Sequence, residues 1–145
     1  MRITAYSDYS LRLLMYLAVA PEGRGTISEV AERYDISRAH VMKVAHQLGK
    51  AGYVETIRGR SGGLRLARPA EVIRVGEVLR LTESDFNMVP CFESGKLCVI
   101  TPSCVLKRAL AEATRAFLST LDGYTLADLA APEAALRRDL GLARF

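Results

Sequence analysis

Apolar positions recur at helical spacing along most of the chain, and short polar or glycine-rich breaks divide that pattern into pieces. "SDYSLRLLMYLAVAP" (residues 7–21) is apolar on nearly every side. That predicts a mostly buried helix capped by Ser7, with Asp8 in its first turn and Pro21 at its end. After the connector "EGRG", "TISEVAERY" opens with Thr26 and Glu29 at capping-box spacing and sets Ile27, Val30 and Ala31 on one side of a short second helix. "DIS" is a tight turn, and Ser37 is placed to cap a third helix, "RAHVMKVAHQLGKAG", which runs out at Gly52. On this third helix Val41, Val44, Ala45 and Leu48 share one face, while Ala39, Met42, Lys43, His46 and Lys50 fall on the opposite one.

Beyond Gly52 the period changes. "YVETIRGRSGGLRLA" has two short β-prone runs around a glycine-rich tip that carries Arg58 and Arg60, the pattern of a hairpin with a long turn. "VGEVLRLTE", from Val75, returns to helical spacing. A Gly- and Pro-punctuated stretch follows, and then a long helix capped by Ser103 and running to Leu121, with Leu106, Ala109, Leu110, Ala113 and Phe117 as its stripe. A stripe of that length at the end of a small domain needs a partner surface. "TLADLA" adds a brief helical turn before a tail, from Pro132, that is expected to be mobile. The fold class is therefore mainly α with a small β-hairpin wing: a winged helix-turn-helix plus a long helix. The divisions are 1–82, the winged domain; 83–104, a cysteine-bearing loop; 105–131, the long-helix region; and 132–145, a C-terminal tail.

With 145 residues, half of them apolar, the chain can bury a core without disulfide staples. Its three cysteines, Cys91, Cys98 and Cys104, all lie in the punctuated stretch. An odd number cannot pair fully within one chain, so reduced thiols and a cytoplasmic setting are expected. The first twenty residues show neither a long uninterrupted apolar run nor a small-residue cleavage pattern, and no membrane association is expected. Charge is uneven. Residues 36–70 hold seven basic side chains against the single acid Glu55, an excess above the +4 of the whole chain. A polyanion is the natural partner for such a segment.

Tight turn, capped third helix, basic outer face and arginine-tipped hairpin occur in the order that docking on double-stranded DNA requires. Arg38, His40, Lys43 and His46 are the candidates for the major groove and its phosphates, and Arg58 and Arg60 for a wing that enters the narrow groove. A solvated basic face is the bland rival. Both histidines belong to the candidate reading helix rather than to a metal set.

The cysteine spacing is C-x6-C-x5-C, wider than the closely paired thiols of zinc fingers and ribbons. Grouped soft thiolates at such intervals point to an iron-sulfur cluster, 4Fe-4S ahead of 2Fe-2S. Three thiolates leave one ligand open: a small molecule, an oxygen or nitrogen donor in the same chain, or a residue of a second subunit.

With the basic winged helix and the triplet together, the chain resembles the family of winged-helix iron-sulfur transcriptional regulators that includes the nitric-oxide-sensing repressor NsrR and the cluster-assembly regulator IscR. The resemblance is carried by "MRITAYSDYSLRLLMYLA", "RGRSGGLRLARP", "VGEVLR", the cysteine triplet and "LKRALAEATRAFLSTLDGYTLADL". It implies a homodimer built by crossing long helices, with the cluster near the dimer interface. IscR-like members use a histidine three positions after the last cysteine, where this chain has Lys107. NsrR-like members use an N-terminal aspartate of the other subunit, and Asp8 occupies the matching place; the chain is most similar to these. The function so implied is a non-enzymatic repressor whose operator binding responds to nitric oxide. The alternatives are a regulator that senses redox state or cluster supply, a cluster-containing redox protein that regulates no DNA, and a zinc-stabilised DNA binder.

Overall fold

In the computed structural model, which describes residues 2–142, the first helix, α1 (Ala5–Val19), starts before the predicted cap. Thr4 is its N-cap and accepts the Ser7 amide at 3.2 Å, so Ser7 lies inside the helix and is fully buried. Leu13, Leu14, Tyr16, Leu17 and Val19 of α1 are all buried. A helix apolar on every side belongs inside, and α1 runs through the core with the other elements laid around it.

The next elements follow the local signals. α2 (Ile27–Tyr34) has the Thr26/Glu29 capping box, and α3 (Arg38–Lys50) is capped by Ser37, whose hydroxyl accepts the His40 amide. Between them Asp35 adopts φ 52°, a left-handed conformation that aspartate tolerates better than most residues, and this makes the turn sharp. The predicted hairpin is β2 (Val54–Ile57) and β3 (Gly63–Leu66), antiparallel, with Val54 opposite Leu66 and Ile57 opposite Gly63. It is not alone. Arg24–Gly25, from the connector, form β1 on the other edge of β3, giving a three-stranded sheet in the order β1-β3-β2. Gly25 is required there because a Cβ would stand 2.4 Å from Tyr16 Cε1.

α4 (Val75–Thr82) leads into the cysteine loop, which holds two short 3-10 turns at Pro90–Phe92 and Thr101–Ser103. α5 (Val105–Asp122) follows, capped by Cys104 rather than by Ser103. Arg80 grips the Asp122 carboxylate through both oxygens, at 2.6 and 2.7 Å, and Arg74 donates to the Asp122 carbonyl, so the end of α5 is tied to α4. α6 (Leu126–Ala130) then packs on α1.

Residues after Pro132, expected to be a mobile tail, instead form α7 (Glu133–Asp139). Leu136 and Leu140 share one face of that segment. Leu140 is buried in the core and Leu136 packs against it. Arg137 Nε donates to the Val19 carbonyl at 2.8 Å, satisfying an end group of α1. The last residues of the presumed tail, 143–145, lie outside the described residues.

Candidate nucleic-acid interface and cysteine loop

The apolar face predicted for α3 is the buried one: Val41, Val44, Ala45 and Leu48 are all in the core. The opposite face leaves Arg38, His40, Lys43 and His46 exposed, with Met42 among them. The His40 ring stands 5.9 Å from that of Tyr9, so α1 backs the N-terminal end of α3. A shallow groove of about 570 Å³ separates α3 from the sheet and is lined by Met42, His46, Lys50, Glu55 and Thr56 among others.

Arg58 and Arg60 project from the tip joining β2 to β3 and are exposed. The tip is glycine-dependent: Gly59 has φ 105°, and a Cβ on Gly62 would sit 2.6 Å from the Ile57 carbonyl. Arg24, which sequence reasoning missed, donates to the Ser61 carbonyl at 3.2 Å and anchors the tip to β1. Its only signal was a lone arginine in a glycine-rich connector.

The seven basic residues of this region divide by role. Arg65 pairs with Glu55 across the hairpin at 2.5 Å. Arg68 lies over the Tyr53 ring, 4.0 Å from its centroid, and donates to the Ala51 and Gly52 carbonyls, closing the end of α3. Arg38, Lys43, Lys50, Arg58 and Arg60 form no ion pair among the described residues, and all are exposed. The uncompensated charge is thus on the outer face of α3 and on the tip.

In the cysteine loop all three thiols are free, with Cys91 and Cys104 half-buried and Cys98 exposed. Cys98 and Thr101 close a small turn: the Cys98 amide donates to Thr101 Oγ1 at 3.0 Å and the Thr101 amide to the Cys98 carbonyl at 2.9 Å. Around it Leu97, Val99 and Ile100 are 85%, 99% and 58% exposed. The Lys107 amide donates to Cys104 Sγ at 3.3 Å. Free, soft, partly exposed thiols of this kind fit a thiolate-ligated iron centre. No three Cys, His, Asp or Glu side chains converge to hold a metal ion among the described residues. Asp8 is turned to Arg12, which contacts both carboxylate oxygens at 3.0 and 2.9 Å, and Arg12 in turn lies over the Tyr34 ring.

Residues 3–132 match the family model described as Rrf2, iron-dependent transcriptional regulator. The chain belongs to the Rrf2 family. This Rrf2 protein is 55% identical over 131 residues to the HTH-type transcriptional regulator NsrR of Bacillus subtilis strain 168, covering 89% of this chain and 90% of that one. Identity is 50% over 131 residues to NsrR of Bacillus licheniformis, covering 89% and 92%. Among solved structures, T. potens IscR aligns with a TM-score of 0.73 at 27% identity over 91% of this chain and 88% of that one. CymR, the global cysteine regulator of B. subtilis, aligns at 0.72 and 26% over 90% and 97%. The Rrf2 chain is accordingly a DNA-binding transcriptional regulator and not an enzyme. None of its described helices is long and apolar enough to cross a membrane.

Proposed function

We propose that the chain is one subunit of a homodimeric repressor whose operator binding is set by an iron-sulfur cluster that senses nitric oxide. The observation that carries this reading is α5: 18 residues, about 27 Å of helix, without one buried residue in its own subunit, and with the thiol loop at its start. Leu106, 64% exposed, begins a stripe that continues through Ala109, Leu110, Ala113 and Phe117. A second α5 of the same kind covers such a stripe symmetrically, and the alanines allow close approach.

Cys91, Cys98 and Cys104, which do not converge in the described structure, would be drawn together by the loop to hold the cluster, with the partner subunit's Asp8 as fourth ligand. An ionised carboxylate has about four lone-pair sites, so Arg12 leaves Asp8 room for another partner. When bound, the cluster supplies an iron centre, 4Fe-4S by preference, that reacts with nitric oxide. The chain's own residues do the rest. The loop ties α5 to the neighbouring α1, α1 backs α3 through Tyr9 and His40, and the two α3 helices are thereby held at one separation. Half-sites one turn of DNA apart, about 34 Å, tolerate little change in that separation. Arg38, His40, Lys43 and His46 would meet the major groove while Arg58 and Arg60 reach the minor groove or backbone.

Anaerobic purification with iron and sulfide analysis, followed by operator titration with and without nitric oxide, tests the reading. Wild type should be brown, hold iron, and lose affinity about tenfold or more on exposure to nitric oxide. Cys98→Ala should be iron-poor and give no such response. A colourless, iron-free wild type that still binds operator normally would remove the cluster from the account.

A further inference from the structure

The buried polar side chains of the described core are Ser7, Ser10 and Thr82, and two of these three meet. Ser7 Oγ lies 2.7 Å from Thr82 Oγ1, joining α1 to the last turn of α4. The Ser7 hydroxyl donates to Glu83 Oε1 at 2.5 Å, and Thr82 Oγ1 lies within hydrogen-bond reach of both Ser7 Oγ and the Val78 carbonyl, the latter at 2.9 Å. The same Glu83 oxygen also accepts the Thr4 amide at 2.7 Å and the Thr4 hydroxyl at 3.0 Å.

This is a capping box completed from a distance. In α2 and α6 the helix's own third residue, Glu29 or Asp128, returns to the N-cap amide. In α1 that third position is Ser7, which cannot do so. Glu83, 79 residues from Thr4, supplies the missing carboxylate. An acid at a helix N-terminus also meets the positive end of the helix dipole.

Its location gives the contact a use. Asp8 follows Ser7 directly, in the first turn that Glu83 closes, and its amide donates to the Thr4 carbonyl at 3.1 Å. Glu83 itself ends α4, its amide donating to the Leu79 carbonyl, and the chain runs from it into the cysteine loop. With Asp8 as the fourth ligand proposed above, we infer that Glu83 is a positioning residue: it fixes the turn that presents Asp8 against the root of the subunit's own cysteine loop. Each subunit thereby steadies the ligand it lends while it anchors the loop that holds its own cluster.

The test uses the full chain as wild type, Glu83→Ala, Glu83→Gln, Asp8→Ala and the Asp8/Glu83 double alanine variant. Far-UV circular dichroism and melting establish that each folds. In iron-free protein, Glu83→Ala should lose protection from hydrogen exchange at the Ser7 and Asp8 amides, with α5 amides unchanged. In iron-loaded protein it should release iron to a chelator about tenfold faster than wild type, the usual scale for losing a group that orients a ligand. Glu83→Gln, which keeps an acceptor oxygen, should restore most of both properties. Glu83→Ala should add little in the Asp8→Ala background, because it acts through that ligand.

Full additivity in the double variant overturns the positioning role, as does wild-type iron release from Glu83→Ala when Asp8→Ala releases fast. Wild-type release from Asp8→Ala overturns the ligand assignment and the inference together. A wild type that takes up no iron overturns the functional reading itself. Should Glu83→Ala fail to fold, Glu83→Leu, which keeps a side chain of similar bulk but no acceptor oxygen, takes its place with the same expected and overturning results.

Discussion

The sulfur of Cys104 accepts the Lys107 amide and so serves as the N-cap of α5, a place usually taken by Ser, Thr, Asp or Asn. Cap and proposed ligand can be separated by substitution. Cys104→Ser keeps an acceptor for the amide but gives up the soft donor; Cys104→Ala gives up both. In denaturant unfolding of the iron-free protein the alanine variant should be about 1 kcal/mol less stable than the serine variant, while iron analysis finds both equally depleted. Glu83 adds a pH dependence. Burial pushes its carboxyl up, but the hydrogen bonds from Ser7 and Thr4 outweigh burial and leave it below its ordinary value. Its stabilising contribution is therefore complete above the unfolded value, about 4.3, and is lost as pH falls through the lower folded value. Denaturant midpoints below about pH 4 should drop more steeply in wild type than in Glu83→Gln.

Among the elements, α2 and α3 were the most legible because their signals are local. The capping box at Thr26 and Glu29, the Ser37 cap and the apolar face at Val41, Val44 and Leu48 all lie within a few turns of each other. β1 was not legible: two residues carry no period, and they are strand only because β3 offers an edge. The wing tip shows the same split. Its glycines and arginines are plain in the sequence, whereas its tether to Arg24 depends on chain return. For the wing, Arg60→Ala should weaken operator binding and reduce the slope of log affinity against log salt by about 0.9 for one lost phosphate contact. Fluorescence anisotropy across a salt series measures this, and an unchanged slope would take Arg60 off the backbone.

In the whole molecule, α1 is the shared wall. α3, α4, α6 and α7 all rest on it, so α7 belongs to the same core as the helix-turn-helix. α7 escaped the sequence reading because its charged residues dominate its composition, and few leucines, Leu136 and Leu140 among them, face inward. Deleting residues 133–145 removes both leucines from the core and strips the Val19 carbonyl of its donor. Thermal unfolding should then move down by roughly 5–10 °C, while operator affinity at low temperature stays close to wild type because α3 and the wing are untouched. An unchanged melting point would mean that α7 contributes nothing to the fold.

The amino-acid order alone determined the helix-turn-helix, its inward and outward faces, the hairpin with its basic tip, and the gathering of every thiol into one loop. Each of these is written in spacing over fewer than about twenty residues, the range over which caps, periodicity and turn chemistry act. Only the tertiary structure decided which hydroxyl caps α1, that an acid from the end of α4 closes that cap, that a third strand joins the wing, and that α7 seats on the core. The last three depend on groups brought together from distant positions, Glu83 to Thr4 and Arg137 to Val19 among them. A backbone or carboxylate partner of that kind leaves no periodic trace, since hydrogen-bond geometry is satisfied in space and not along the chain.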